Sequence, residues 1–344
     1  MTASSLMPWS AITAGQCPDP ADDLFASWLW FDILATAARP RHYHPAALIQ
    51  AGSLLPLWCV RRANRLIPAA SLTSPYSLTY QPPGDPAILA PLLTRSVRSI
   101  VRLDALIATD PLIPALEQHA TEAGLITHRF EHFTNWSMPV AADFTLWLAG
   151  RPGALRNTIK RRLKARDAPL LHQFGFATGP GCALDLTQAI TQFDAVYAQS
   201  WKPAEPFADI NRIMMQRLAQ AGVLRVGILA TPDGPIAAQY WAISGRCAYL
   251  LKLAHLKSAT ASSPGTTLTA LMIKTLLTAE PITHLDFGRG DDRYKRDWVC
   301  DPRTRLGLLL INRASPTGLA WYARLRLTGL ARSLVPRANP ASPA

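Results

Sequence analysis

Ser262-Ser263-Pro264-Gly265-Thr266-Thr267 opens an apolar run that ends near Ala279, and Ile282-Thr283-His284-Leu285-Asp286-Phe287 follows it. After these comes Gly288-Arg289-Gly290-Asp291-Asp292-Arg293-Tyr294-Lys295-Arg296-Asp297-Trp298. The small residues ahead of apolar positions at helical spacing predict a turn and then a helix over 266–279. A helix start presents N–H groups without intrahelical acceptors, and the positive end of the helix dipole lies there, so it suits a phosphate. The same residues also suit a plain cap, with Ser263 as N-cap and Pro264 at the first helical position, and the two readings are compatible. The segment 282–287 reads as a strand, with Ile282, His284 and Asp286 on one face and Thr283, Leu285 and Phe287 on the other.

Upstream, 224–230, 236–243 and 248–255 read as strands. Pro232-Asp233-Gly234 and Ser244-Gly245-Arg246 separate them, turns short enough to join antiparallel neighbours. Helices are expected over 189–201 and over 208–221, the latter closed by Gly222. The first half reads as mixed helix and strand. Helices are expected over 24–38 and 112–123, strands or extended segments over 53–60 and 77–80, and a breaker at Pro82-Pro83-Gly84-Asp85-Pro86. The pattern turns irregular over 135–150, so a domain junction is expected there. The resulting division is 1–148, 149–315, and a basic helical tail with a disordered end over 316–344.

At 344 residues with 49% apolar content, the chain can form about two domains with real cores. Lys and Arg number 35 against 23 Asp and Glu, a field that attracts nucleic acid, membrane surfaces or anionic cofactors. Only seven of the 35 are lysines, and an Ala-, Arg- and Pro-rich composition accounts for part of the excess. Seven bases and no acid lie between Arg151 and Arg166; on a helix Arg156, Lys160 and Lys164 share one face, and Arg162 and Arg166 another. Such a stripe suits phosphates or simply solvent. Five scattered cysteines without a C-x-x-C pair point to reduced core thiols, and His42-x-His44 lacks further ligands nearby, so no metal site is expected. No export signal or apolar stretch of about 18 residues is visible, which makes the cytoplasm the expected compartment. The segment 319–334 alternates apolar and basic residues, which suits a bilayer surface or, since its apolar face is short, a helix packed on the body. No G-x-S-x-G elbow, Walker loop or dinucleotide fingerprint is present.

Two helices, three antiparallel strands, a helix and a further strand follow one another in the second half. With Trp201, Pro235-Ile236-Ala237-Ala238, Tyr249-Leu250-Leu251-Lys252, Ser263-Pro264-Gly265-Thr266, Asp286-Phe287-Gly288-Arg289-Gly290 and Tyr294-Lys295-Arg296-Asp297-Trp298, this segment resembles the GNAT-like acetyltransferase domain of CelD-type cellulose-biosynthesis proteins. More distantly it is similar to Fem-type aminoacyl transferases, which carry two GNAT-like halves. Leu54-Leu55-Pro56-Leu57 and Ser74-Pro75-Tyr76 extend the resemblance to the first half. It implies an α+β fold of tandem GNAT-like halves, each a mostly antiparallel mixed sheet flanked by helices. It also implies an acyltransferase that moves an acetyl or longer group from acyl-CoA to an amine or hydroxyl of a small-molecule, sugar or peptide acceptor. Aminoacyl-tRNA as donor, with the basic run holding RNA, is an alternative, and a non-catalytic binding protein that keeps the fold is another.

The resemblance also assigns candidate residues. Ser262, Ser263, Gly265, Thr266 and Thr267 stand where such enzymes write R/Q-x-x-G-x-G/A to hold the coenzyme A pyrophosphate, and Arg289 is a further cofactor contact. The sequence departs from that pattern, and Pro264 removes one N–H donor. Four acids and four bases balance over 286–298, as expected of a loop held in one shape by ion pairs. Within it, Tyr294-Lys295 resembles the Phe-Lys pair of the Fem-type enzymes. Lys295 is expected to stabilise the tetrahedral intermediate and Tyr294 to protonate the leaving group. Asp286 is expected to orient or deprotonate an incoming amine, or else to shape the loop. His255 is a candidate general base or a half-buried core residue.

Overall fold

The computed structural model describes residues 5–60, 68–166, 173–290 and 292–334. The first half runs β1 (Ser5–Pro8), α1 (Trp28–Ala37), β2 (Tyr43–Gln50), β3 (Ser53–Val60), β4 (Ala69–Ser71), α2 (Pro86–Ser96), β5 (Ile100–Ile107), α3 (Leu112–Glu122) and β6 (Ile126–Pro139). Two linking helices follow, α4 (Phe144–Ala149) and α5 (Gly153–Arg166). The second half runs β7 (Gln173–Ala177), α6 (Leu186–Ala198), α7 (Ile210–Gln220), β8 (Leu224–Thr231), β9 (Gly234–Ser244), β10 (Cys247–His255), α8 (Pro264–Ala279), β11 (His284–Arg289), α9 (Arg293–Trp298) and β12 (Asp301–Ile311), and α10 (Pro316–Leu334) closes the described chain.

The twelve strands of the described residues belong to one sheet, in the order β1-β2-β3-β4-β5-β12-β6-β11-β10-β9-β8-β7. The order is an internal repeat. In each half four antiparallel strands lead to a fifth that is parallel to the fourth: β4 with β5, and β10 with β11. Parallel neighbours need a crossover, and α2 and α8 supply it. The sixth strand of each half then leaves its own half: β6 pairs with β11, and β12 pairs with β5. At the centre β6 and β12 run antiparallel, from Ser137 opposite Asp301 to Ile126 opposite Ile311. Neither half completes its sheet without a strand from the other, so their folding is coupled.

Helices cover both faces. Trp30, Leu34, Leu55, Tyr80, Phe193 and Tyr240 belong to a core that spans the two halves. Trp136, Trp241, Leu268, Leu271, Phe287 and Trp298 form a second core around α8 and α9. Each fully buried side chain of this size contributes roughly 1.5–3 kcal/mol.

Several expectations need correction. The region 135–150 is not irregular: Asn135 to Pro139 finish β6, whose pairing on both edges comes from β12 and β11, far away in sequence. Residues 77–80 form no strand. Cys182 and Cys300 are exposed rather than in the core, and all five thiols are free. In the tail, Trp321, Tyr322 and Leu325 pack against Ile100, Leu309 and Ile311, while residues 335–344 lie outside the described residues. Among the described residues no helix is long and apolar enough to cross a membrane, and no group of three His, Cys, Asp or Glu could hold a metal ion.

Candidate active site

The site begins where β10 and β11 part. They pair only from Cys247 opposite His284 to Tyr249 opposite Asp286, yet β10 continues to His255 and β11 to Arg289. Bulges drive the parting: β10 shifts register against β9 between Leu250 and Lys252, and β11 shifts against β6 between Asp286 and Gly288. Gly288 has φ of 73°, and a Cβ there would lie 3.1 Å from Leu78 Cδ2, so both conformation and contact call for glycine. Beyond Tyr249 the edge of β10 that would meet β11 pairs with no strand among the described residues and faces a cleft.

On the β10 side lies the start of α8. Ser263 sits in the left-handed region (φ 52°, ψ 48°) with no side-chain cap bond, so the expected Ser263 cap is not formed. Its carbonyl instead accepts from Thr267 N and Thr267 Oγ1, both at 3.1 Å. Thr267 therefore faces inward, with donor and hydroxyl already used, and does not offer itself to a phosphate as expected. Ser262 Oγ donates to Ala259 O at 2.8 Å. Pro264 has no N–H, and among the described residues the N–H groups of Gly265 and Thr266 meet no acceptor. These two remain the open donors of the turn. A residue from the basic run joins them: Arg162 Nη2 donates to Ala261 O at 2.7 Å, beside the turn.

His255, at the end of β10, faces the same cavity of about 230 Å³, with Trp201, Gly265, Thr266, Tyr294 and Trp298. Its Nδ1 lies 3.0 Å from Leu256 O; a carbonyl can only accept, so Nδ1 carries a proton, and in the neutral ring Nε2 is the nitrogen left to accept. The imidazole lies against Trp201 with ring centroids 4.2 Å apart and the planes tilted by 39°. A Cβ on Gly265 would come within 3.2 Å of His255 Cδ2, so glycine lets the ring lie against the helix start.

On the β11 side is a second cavity of about 170 Å³, walled by Trp30, Tyr76 and Leu78 from the first half and by Lys202, Lys252, Arg289 and Lys295 from the second. Leu253 and Tyr294 line both cavities, and Tyr294 is partly exposed between them. Burial pushes its phenol well above the usual range, and Asp292 adds to the rise, so the hydroxyl stays protonated.

Lys295 is 5% exposed. Its Nζ donates to Arg289 O at 2.5 Å and lies 3.4 Å from Asp292 Oδ2. Burial lowers its pKa, against the pull of Asp292 and Asp286. Asp286 is also 5% exposed, beneath the loop rather than open to a substrate amine. It accepts from Asn135 Nδ2 and Gly288 N, both at 2.7 Å, and burial raises its pKa despite these donors. Arg289, expected as a cofactor contact, lines the Lys295 cavity and not the cavity at the start of α8, with its guanidinium 4.3 Å from the centre of the Phe133 ring. Asp291 and the side chain of Arg293, counted in the balanced loop, lie outside what is described.

Sequence reasoning missed the strap between α6 and α7. Glu205 there accepts from Tyr76 OH at 2.6 Å and from Tyr197 OH, and Lys252 Nζ lies 2.5 Å from its Oε1. This ties the first half to the second across the cleft. The only signal was a loop rich in charged and aromatic residues between two helices.

Residues 153–296, from α5 into α9, match the family model of an acetyltransferase (GNAT) domain. The chain has the GNAT fold. Its GNAT halves form an α+β, mostly antiparallel mixed sheet with flanking helices. The solved structure of FemX is similar with a TM-score of 0.58 at 10% identity, over 91% of this chain and 98% of that one. A conserved protein of unknown function from Bacteroides thetaiotaomicron VPI-5482 is similar with a TM-score of 0.56 at 10% identity, over 90% and 100%. At that identity the likeness concerns fold alone. No curated protein sequence matches the chain.

Proposed function

We propose that the protein transfers an acyl group from acyl-CoA to an amine or hydroxyl, with the donor against α8 and the acceptor in the Lys295 cavity. The reading rests above all on the parted β10 and β11, with the open N–H groups of Gly265 and Thr266 on one side and a buried lysine on the other. In this scheme the pyrophosphate lies at Gly265 and Thr266 with Arg162 nearby, and the thioester passes His255 toward Tyr294. The acceptor nitrogen attacks the thioester carbonyl, so a C–N bond forms and the C–S bond breaks. Lys295 stabilises the oxyanion, His255 Nε2 takes the amine proton, and Tyr294 protonates the leaving sulfur. Asp286 is a positioning residue: it pins Asn135 and Gly288 and so holds the loop that carries Lys295. The resemblance to CelD-type proteins favours this donor. Residues 149–315 would carry the chemistry, 1–148 would shape the acceptor cavity, 316–344 would be an appended tail, and the reaction would run in the cytoplasm.

A second reading keeps the site and makes aminoacyl-tRNA the donor. The exposed Lys160, Arg161 and Lys164 on α5, the helix that reaches the α8 turn through Arg162, favour it. Release of free thiol from acetyl-CoA in the presence of pooled amines tests the first reading. Thiol release that depends on acceptor supports it. No release, together with aminoacyl transfer from charged tRNA that weakens steeply with salt, would replace it by the second.

A further inference from the structure

We infer that the acceptor is an anionic molecule, whose carboxylate or phosphate is held by Lys202 and Arg289 while its amine or hydroxyl faces Lys295. This rests on the acyl-transfer reading for the word acceptor, but the anion site itself follows from the charges in the cavity. Four cations line it: Lys202, Lys252, Arg289 and Lys295. Two carboxylates answer them. Glu205 is fully engaged, by Lys252 at 2.5 Å and by the hydroxyls of Tyr76 and Tyr197. Asp292 lies 3.4 Å from Lys295 Nζ. Among the described residues neither Lys202 nor Arg289 has a carboxylate within ion-pair distance. Asp104, the acid that acts on Arg289 through space, is held by Arg102 Nε at 2.9 and 3.0 Å.

Both leftover cations rest on aromatic faces, Lys202 Nζ 5.5 Å from the Trp201 ring and Arg289 over Phe133. An aromatic face supports a cation but does not neutralise it. Burial lowers the pKa of each; at Lys202 the charges of Lys252 and Lys295 add to the fall, and Asp292 and Glu205 oppose it through space. Such an arrangement is costly with an empty cavity and favourable once an anion fills it, because charges in a partly desolvated site interact more strongly than in water. A polycation would meet two cations that no carboxylate among the described residues neutralises. The same field lowers the pKa of an acceptor ammonium, which must lose its proton before it attacks a thioester.

Calorimetric titration of the full chain with inorganic phosphate and, separately, with acetate tests the site without any donor. At least one probe is expected to bind, and Lys202→Gln and Arg289→Gln each to weaken it about ten-fold or more, as loss of a charge-assisted hydrogen bond implies. Lys202→Arg, which keeps the charge, is expected to retain binding, and circular dichroism reports whether each variant is folded. Transfer from acetyl-CoA to glycine against glycinamide, and to glucosamine 6-phosphate against glucosamine, then separates a carboxylate from a phosphate acceptor. The anionic partner of one pair is expected to win at least ten-fold in kcat/KM, and that ratio to fall in Lys202→Gln. Failure of both probes to bind, binding unaltered in folded Gln variants, or spermidine turned over as well as the anionic acceptors overturns the inference. If probes bind and the Gln variants lose them, but no acceptor releases thiol, the anion site stands and the acyl-CoA reading falls.

Discussion

Replacing Asp286 separates a carboxylate that holds the loop from one that takes a proton. The side chain is buried and accepts two hydrogen bonds of 2.7 Å, from Asn135 Nδ2 and Gly288 N. In Asp286→Ala both donors lose their acceptor inside the protein, at about 1–3 kcal/mol each, partly offset because a desolvated carboxylate also disappears. A net loss of about 3 kcal/mol is expected. In Asp286→Asn the amide oxygen can still accept from Gly288 N. Asn135 can turn so that its Oδ1, which has no partner among the described residues, accepts from the new amide. That variant should lose about 1 kcal/mol or less. Urea unfolding measures the stabilities, and thiol release from acetyl-CoA measures kcat. The positioning account predicts that Asp286→Asn keeps most of its activity and Asp286→Ala loses activity and stability together. A stable Asp286→Asn slower by about 100-fold or more, the range expected for a lost general base, would refute it. The pH dependence adds a check. A carboxyl whose folded pKa is raised contributes stability at low pH that is lost as pH climbs through that value, and Asp286→Asn should flatten this part of the profile.

Further outcomes follow from the same geometry. Lys295→Ala should lower kcat by about 10²–10³-fold, as removal of an oxyanion donor does, measured by thiol release with the fold verified. Because burial lowers the Lys295 pKa, activity that needs its charge should fall on the alkaline side below the ordinary lysine value, and an alkaline limb no lower than that value would speak against this role. Gly265→Ala places a methyl 3.2 Å from His255 Cδ2, so the imidazole must shift against Trp201. The helix should tolerate the change, while KM for acyl-CoA rises several-fold in steady-state assays.

The second half was the more legible part of the chain. Pro232-Asp233-Gly234 and Ser244-Gly245-Arg246 mark turns locally, and β8, β9, β10 and α8 lie close to where periodicity puts them. β6 and β12 were missed because what makes them strands is the partner. Each is held on both edges by strands distant in sequence, and the polar residues of β6, such as His128, Arg129 and Glu131, give no clean alternation. The candidate site divides in the same way. Lys295, Tyr294, His255, Gly265 and Thr266 come together at the parted strands, since each follows a strand or opens a helix. Asp286 was expected at a strand end, but the bulge before Gly288 and the pairing with β6 put its carboxylate inside. Within the basic run, Arg151 is buried and donates to Trp298 O at 2.7 Å, which a charge count cannot reveal. Lys202 and Glu205 belong to a loop without periodicity, and only the closure of the two halves gives them a place.

The claim that a coenzyme A phosphate sits on the start of α8 is tested most directly by calorimetric titration with coenzyme A of the unmodified chain and of Thr266→Asp. An acid in the first turn suits the helix dipole, so the variant should stay folded while repelling a phosphate at the same donors. The account predicts one coenzyme A per chain in the unmodified protein and an affinity at least about ten-fold weaker in Thr266→Asp. Equal affinity in the two, or no binding to the unmodified protein, would contradict it.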